Sequence, residues 1–267
     1  MQDVGVVITA GGRALCRAGR WGGRDELIHE GKLYHPVGGR GWVGIGGKIT
    51  NLKAGHLYLI PPHSRISYAT QREITVEWLH FRLQSPMLDV RLGSLARIHH
   101  FSMAVAARWT PVCGFIERFM REPCAPDAFR IQAMLQEVIG LTLSGLPQQS
   151  ARARLARERL VPALQFLDAQ AIRHPSLSDI ARTVNLSPEH FHRLFHAIFH
   201  TTPYQDAQAR RMALAKSLLA EGLLAVAEVA ERCGYDDPFY FSRVFRRHFG
   251  VSPGRVRRGL AILGPTP

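Results

Sequence analysis

The sequence has no apolar run long enough to cross a bilayer as a helix, so a membrane-spanning helix is not expected. Its start lacks a basic segment followed by an apolar core, so a secretory leader is not expected either. Both absences point to a cytoplasmic protein. Cysteine is scarce: Cys16, Cys113, Cys124 and Cys233 form no C-x-x-C pair and no zinc-ligand spacing. A disulfide framework and a zinc finger are therefore not expected. Acids are outnumbered, 21 against 34 Lys and Arg, which leaves a formal net charge of +13. That surplus suits a polyanionic partner, but both halves of the chain are basic, so charge alone does not locate the contact. One stretch stands apart. From Pro238 to Arg258 there is no acid, while Arg243, Arg246, Arg247, Arg255, Arg257 and Arg258 all fall there.

What is present is a repeat. Residues 191–203 and 241–253 both read F-x-R-[LV]-F-x-x-x-F-x-x-[TS]-P, fifty positions apart. A fixed internal period marks a repeated supersecondary unit. Phe191, Leu194, Phe195, Ile198 and Phe199 follow the i, i+3, i+4, i+7, i+8 spacing of one helical stripe. Phe241, Val244, Phe245 and Phe249 repeat it, with His248 in the place of Ile198. The stripes predict buried faces. Glu189, His192, Arg193 and His196 face away from the first; Phe239, Ser242, Arg243, Arg246 and Arg247 face away from the second. Ser187-Pro188 and Asp237-Pro238 are helix starts, an oxygen-bearing cap followed by a residue with no N–H to lose.

A shorter helix is expected before each long one, over residues 177–184 and 227–233. Asn185 and Gly234 follow them, and both types tolerate the left-handed conformation that ends a helix. Ala181 and Ala230 give small inner faces. Short helix, tight turn and capped second helix is the helix-turn-helix order. A linking helix is expected from Pro203 to about Glu221.

These residues, together with Asp179-Ile180-Ala181, Gly234-Tyr235-Asp236-Asp237-Pro238 and Gly250-Val251-Ser252-Pro253, resemble the DNA-binding domain of the AraC family of transcriptional regulators. The resemblance covers roughly residues 157–260. It implies two recognition helices in successive major-groove segments, about 34 Å apart. It places Arg193 and Arg243 where the family commonly contacts DNA. An arginine there can bind guanine O6 and N7, or reach a phosphate or a nearby acid instead. Glu189 can accept from cytosine N4 or simply favour the helix dipole. Phe239 and Tyr240 can touch a thymine methyl or pack on the linking helix. His196, Arg246 and Arg247 lie farther along, where phosphate contact or solvation is expected. His192 and Ser242 complete the exposed set.

The first eighty residues differ. Short alternating runs (42–45, 56–60 and 74–81) are broken by Gly38-Gly39, Gly46-Gly47 and Pro61-Pro62, as in a small β barrel or sandwich. Leu52 to Pro62, Tyr68 and Trp78-Leu79-His80-Phe81 resemble the cupin-like sensor domain of AraC regulators. Enzymatic cupins hold a metal through histidines, but Ile66 stands at about one of those places, and His29, His63 and His80 do not recover the spacing. No metal, cofactor or catalytic residue is expected. The resemblance implies a small effector in the barrel, a sugar being one class, with Trp78 in the stacking place and Arg24, Tyr34, Trp42 and His80 as further lining.

Two helices should follow, one opened by Trp109-Thr110-Pro111 and one by Pro126-Asp127. The resemblance implies that helices here pair between subunits, so the stripe of the second (Phe129, Ala133, Leu135, Val138, Ile139 and Leu143) is either that seam, the favoured reading, or a face packed on the barrel. The expected architecture is α+β in two domains: a cupin-like barrel with a helical dimerisation segment over residues 1–145, a linker over 146–156, and an all-α domain with two helix-turn-helix units over 157–262. The expected protein is a non-enzymatic, sequence-specific regulator, an activator by that resemblance, working as a homodimer with double-stranded DNA, RNA polymerase and a small effector. The rivals are a cupin-type metalloenzyme fused to a DNA-binding domain, and a regulator whose barrel only dimerises.

Overall fold

The computed structural model describes residues 5–19, 21–95, 97–122, 124–145 and 151–258, which form two compact units divided near residue 150. The first unit holds nine strands: β1 (Val6–Arg17), β2 (Gly22–Ile28), β3 (Gly31–Gly39), β4 (Gly41–Ile45), β5 (Lys48–Leu52), β6 (Leu57–Ile60), β7 (Ser64–Ala69), β8 (Glu73–Leu83) and β9 (His99–Phe101). It also holds three helices, α1 (Pro86–Gly93), α2 (Met103–Arg121) and α3 (Ala125–Ser144). The strands make two sheets, ordered β1-β8-β3-β6-β9 and β2-β7-β4-β5, rather than one closed cylinder.

Strand β8 organises this unit, pairing antiparallel with β1 on one side and β3 on the other. Successive side chains of a strand point to opposite faces. Leu79, Phe81 and Leu83 share one hydrophobic cluster with Leu33, Leu57 and Leu59 and with Trp109, Ile116, Leu135 and Ile139 of the helices. The opposite face carries Ile74, Trp78 and His80. It is turned toward the second sheet, since a Cβ on Gly41 of β4 would lie 3.1 Å from the Ile74 side chain. Gly11 has a different task. A Cβ there would sit 2.5 Å from Ile116, so glycine lets α2 lie against β1.

Two expectations are corrected here. The first helix starts at Met103, not near Trp109, and Pro111 lies inside it. An interior proline costs about 3 kcal/mol, yet burial of Trp109, Val112 and Ile116 on the sheet carries the helix through. The expected seam on α3 is also corrected. Leu135, Val138 and Ile139 are fully buried within this chain's own core, against α2 and the sheet. Periodicity shows that a face is covered and does not show by what. Phe129, Ala133 and Leu141 remain exposed.

The second unit is helical: α4 (Ala151–Glu158), α5 (Val161–Gln170), a 3₁₀ turn (Ala171–Arg173), α6 (Leu177–Arg182), α7 (Pro188–Phe199), α8 (Pro203–Glu221), α9 (Val226–Arg232), α10 (Pro238–Phe249) and α11 (Pro253–Arg257). Of the expected linker, residues 146–150 lie outside the described residues and 151–156 are helical. Phe191, Phe195 and Phe199 form one buried aromatic spine on α7. On α10, Phe241, Val244 and Phe245 are buried in one core with Met212, Leu219, Val229 and Ala230. Long helix α8 has the bounds expected of the linking helix and supplies Met212, Ala215 and Leu219 to that core.

Candidate nucleic-acid interface

Each recognition helix is set by its own start. Ser187 accepts from the His190 N–H, and Asp237 accepts from the Phe239 N–H at 2.8 Å. Both helices then run for twelve residues and end at a left-handed residue, His200 and Gly250. The helix before each differs in its cap. Ser176 and Asp179 make a full capping box on α6. That exchange, led by the Ser176 hydroxyl, holds the Asp179 carboxyl below its usual range. On α9 only the return half exists, Glu228 accepting from the Ala225 N–H. The turns adopt positive φ at Asn185 and Gly234. Arg159 ties the first turn by donating to the Val184 and Asn185 carbonyls. The second turn is tighter, because a Cβ on Gly234 would meet the Ile172 carbonyl oxygen at 2.2 Å.

With those ends fixed, the buried stripes leave the other faces outward. Glu189, Arg193 and His196 of α7 are exposed, and His192 is half-buried. Phe239, Tyr240, Arg243, Arg246 and Arg247 of α10 are exposed, and Ser242 is half-buried. Phe239 is 82% exposed, so it does not pack on the linking helix. The Arg243 guanidinium lies 5.8 Å from the Tyr240 ring centre. An open cavity of about 680 Å³ adjoins them, lined also by Tyr204, Arg211, Tyr235 and Asp237. Nothing in the spacing ties Tyr204 and Arg211 to this face, because they lie on α8, a separate helix well before α10 in the chain.

Residues 180–259 match a helix-turn-helix domain family. The arabinose operon regulatory protein of Salmonella typhimurium is 26% identical over 239 residues, 84% of this chain and 82% of that protein. The helical unit thus carries a helix-turn-helix domain of the AraC type, and the chain is similar over most of its length to a regulator of transcription. The lactose operon transcription activator of Staphylococcus xylosus is 26% identical over 42% of the chain, and the chain spans only 40% of its length. The regulator YpdC of Escherichia coli is 42% identical over 77 residues, with 26% of its length spanned. The chain thus spans less than half the length of the last two. In fold, the chain is similar to a crystal structure of apo ToxT from Vibrio cholerae, with a TM-score of 0.68 at 11% identity, covering 95% of this chain and 98% of that one.

The expected effector residues lie in the β-rich unit. Tyr34 and Trp78 are direct cross-strand partners, the Trp78 and His80 rings are 4.8 Å apart, and Tyr34 and His80 are 6.5 Å apart. All three are buried. The Trp78 indole N–H meets no hydrogen-bond acceptor among the described residues. Arg24 is exposed on β2 and Trp42 is half-buried on β4, so neither joins that group on β3 and β8. Among the described residues no helix is long and apolar enough to cross a membrane.

Proposed function

We propose that this chain is a sequence-specific, DNA-binding transcriptional regulator that acts as an activator and answers to a small molecule. One observation carries the reading. Two capped helices each turn an aromatic spine inward and an arginine outward, at the same place in the helix. An exposed guanidinium near the start of such a helix can reach a guanine edge in the major groove. Glu189, His192, Phe239, Tyr240 and Ser242 are assigned to the base edges beside it. His196, Arg246 and Arg247 are assigned to phosphates, which position the protein without reading sequence. The relatives named above are regulators of transcription, which supports a regulatory rather than enzymatic role in the cytoplasm, with RNA polymerase as a partner.

The effector is assigned to the group of Tyr34, Trp78 and His80. A buried donor without a partner costs about 1–3 kcal/mol, which a ligand oxygen beside the Trp78 indole would recover. A homodimer would use the outward face of α3, with Phe129, Ala133 and Leu141. Effector binding then favours one state of the protein over another.

The test is selection of bound fragments from genomic DNA, followed by thermal shift of the full chain with sugars and with unsaturated fatty acids. A ToxT structure is described as bound to such a fatty acid. Recovery of one shared sequence among the fragments supports the DNA reading, and binding of all fragments alike overturns it. No shift with either ligand class leaves a β-rich unit that only dimerises.

A further inference from the structure

Three buried side chains on the helix side of the first sheet are not used by the function proposed above. His35 of β3 and Glu77 of β8 are direct cross-strand partners, and the His35 Nδ1 lies 2.8 Å from the Glu77 carboxylate. Cys113 comes down on them from α2, and its thiol, which donates to the Trp109 carbonyl oxygen at 3.7 Å, lies beside the same carboxylate. One ligand atom from each lies within 4.8 Å of the other two, and all three residues are more than nine-tenths buried. They point away from Trp78 and His80, which occupy the other face of β8.

We propose that His35, Glu77 and Cys113 bind a divalent transition-metal ion of the zinc class. The donor set is one imidazole nitrogen, one carboxylate oxygen and one sulfur, the mixed set that zinc accepts and that calcium or magnesium does not favour. Charge argues the same way. With the thiol ionised and the imidazole neutral, a thiolate and a carboxylate balance a divalent cation, so the loaded site is neutral where burial penalises net charge. A fourth donor stands close by: Glu117 is one turn beyond Cys113 on α2, and its charge reaches the thiol. Arg13 of β1, 3.9 Å from Glu77, would compensate that extra acid. Its side chain is half exposed, so it can swing aside to admit the ion.

The groups behave as a site waiting for positive charge. Zinc-class ions bind the thiolate, so loading the site must release the Cys113 proton, and affinity rises with pH. The ion would fasten α2 to β3 and β8. That makes the helical segment responsive to metal supply, independently of the DNA reading.

The experiment uses the full chain, reduced and stripped with a chelator, and titrates it with cobalt(II) as a visible stand-in for zinc. The expected result is one ion per chain, with a thiolate-to-cobalt absorption band that zinc displaces. Cys113→Ser should abolish that band, and His35→Ala, which removes a ligand, should weaken binding by at least about 100-fold, since loss of a mere outer-shell partner costs roughly 10–100-fold. Cys16→Ala, Cys124→Ser and Cys233→Ala should leave both unchanged. Should the His35 or Cys113 variants fail to fold, the wild-type thiolate band and its persistence in the Cys16, Cys124 and Cys233 variants still decide the matter. No thiolate band, or a band lost with Cys16, Cys124 or Cys233 instead, overturns the proposal and leaves a buried cluster without metal affinity.

Discussion

Arg193 and Arg243 are structural equivalents: each is the sixth residue of a twelve-residue helix that opens with proline, and each is exposed behind a buried phenylalanine spine. The equivalence is local in origin. The cap sets where the helix starts, the start sets its rotation, and the stripe of phenylalanines sets which face is left for arginine. Loss of a cap or of a spine residue removes one of these causes.

The first removes a cap. Asp237→Ala leaves the Phe239 N–H without its acceptor, and such a loss costs about 1 kcal/mol. Urea unfolding should show a lower midpoint with an unchanged slope. An unchanged midpoint would mean that α10 is held by its packing alone.

The second removes part of a spine. Phe245 is fully buried between Phe241 and Phe249. Phe245→Ala should cost about 3–5 kcal/mol. Thermal unfolding followed by circular dichroism would report it. A cost under about 1 kcal/mol would show that the site collapses onto the missing ring.

The third concerns a phosphate contact. Arg257 is exposed at the end of α11. Arg257→Ala should weaken binding to all sequences alike and lower the slope of log affinity against log salt by about 1. A loss confined to the specific sequence would move Arg257 among the base readers.

The fourth concerns pH. Burial works against ionised Glu77, yet the hydrogen bonds from His35 and Cys113 and the charges of His35 and Arg13 outweigh it and leave the carboxyl below its usual range. A lowered folded-state value means that the stabilisation is complete above the ordinary carboxylate range. It is lost as pH falls through the folded value. Stability of the metal-free chain should therefore drop on acidification, and Glu77→Gln should flatten that part of the profile. Parallel profiles would show that Glu77 contributes nothing there.

The sequence carried the second unit well because its signals are local. Caps, stripes and turn residues lie within a few positions of one another, so α7, α8 and α10 start where Pro188, Pro203 and Pro238 mark them. The β-rich unit was read more coarsely. The alternation at 74–81 marks β8, but nothing local says that its odd side chains meet α2 and α3. The same limit explains the misassigned stripe on α3, since buried residues look alike whatever covers them. Trp109-Thr110-Pro111 misled because proline is commoner at a helix start than inside one. His35, Glu77 and Cys113 left no sequence signal at all. They are brought together by strand pairing and by a helix laid across the sheet, not by spacing.

The most direct measurement sets the two arginines against the DNA. Arg193→Ala and Arg243→Ala would each be assayed on the selected sequence with every position substituted in turn. Each variant should lose about 1–3 kcal/mol of discrimination at its own position. The two positions should lie about 10 base pairs apart, one turn of the duplex. Full discrimination in both variants, or loss at one shared position, would contradict the account.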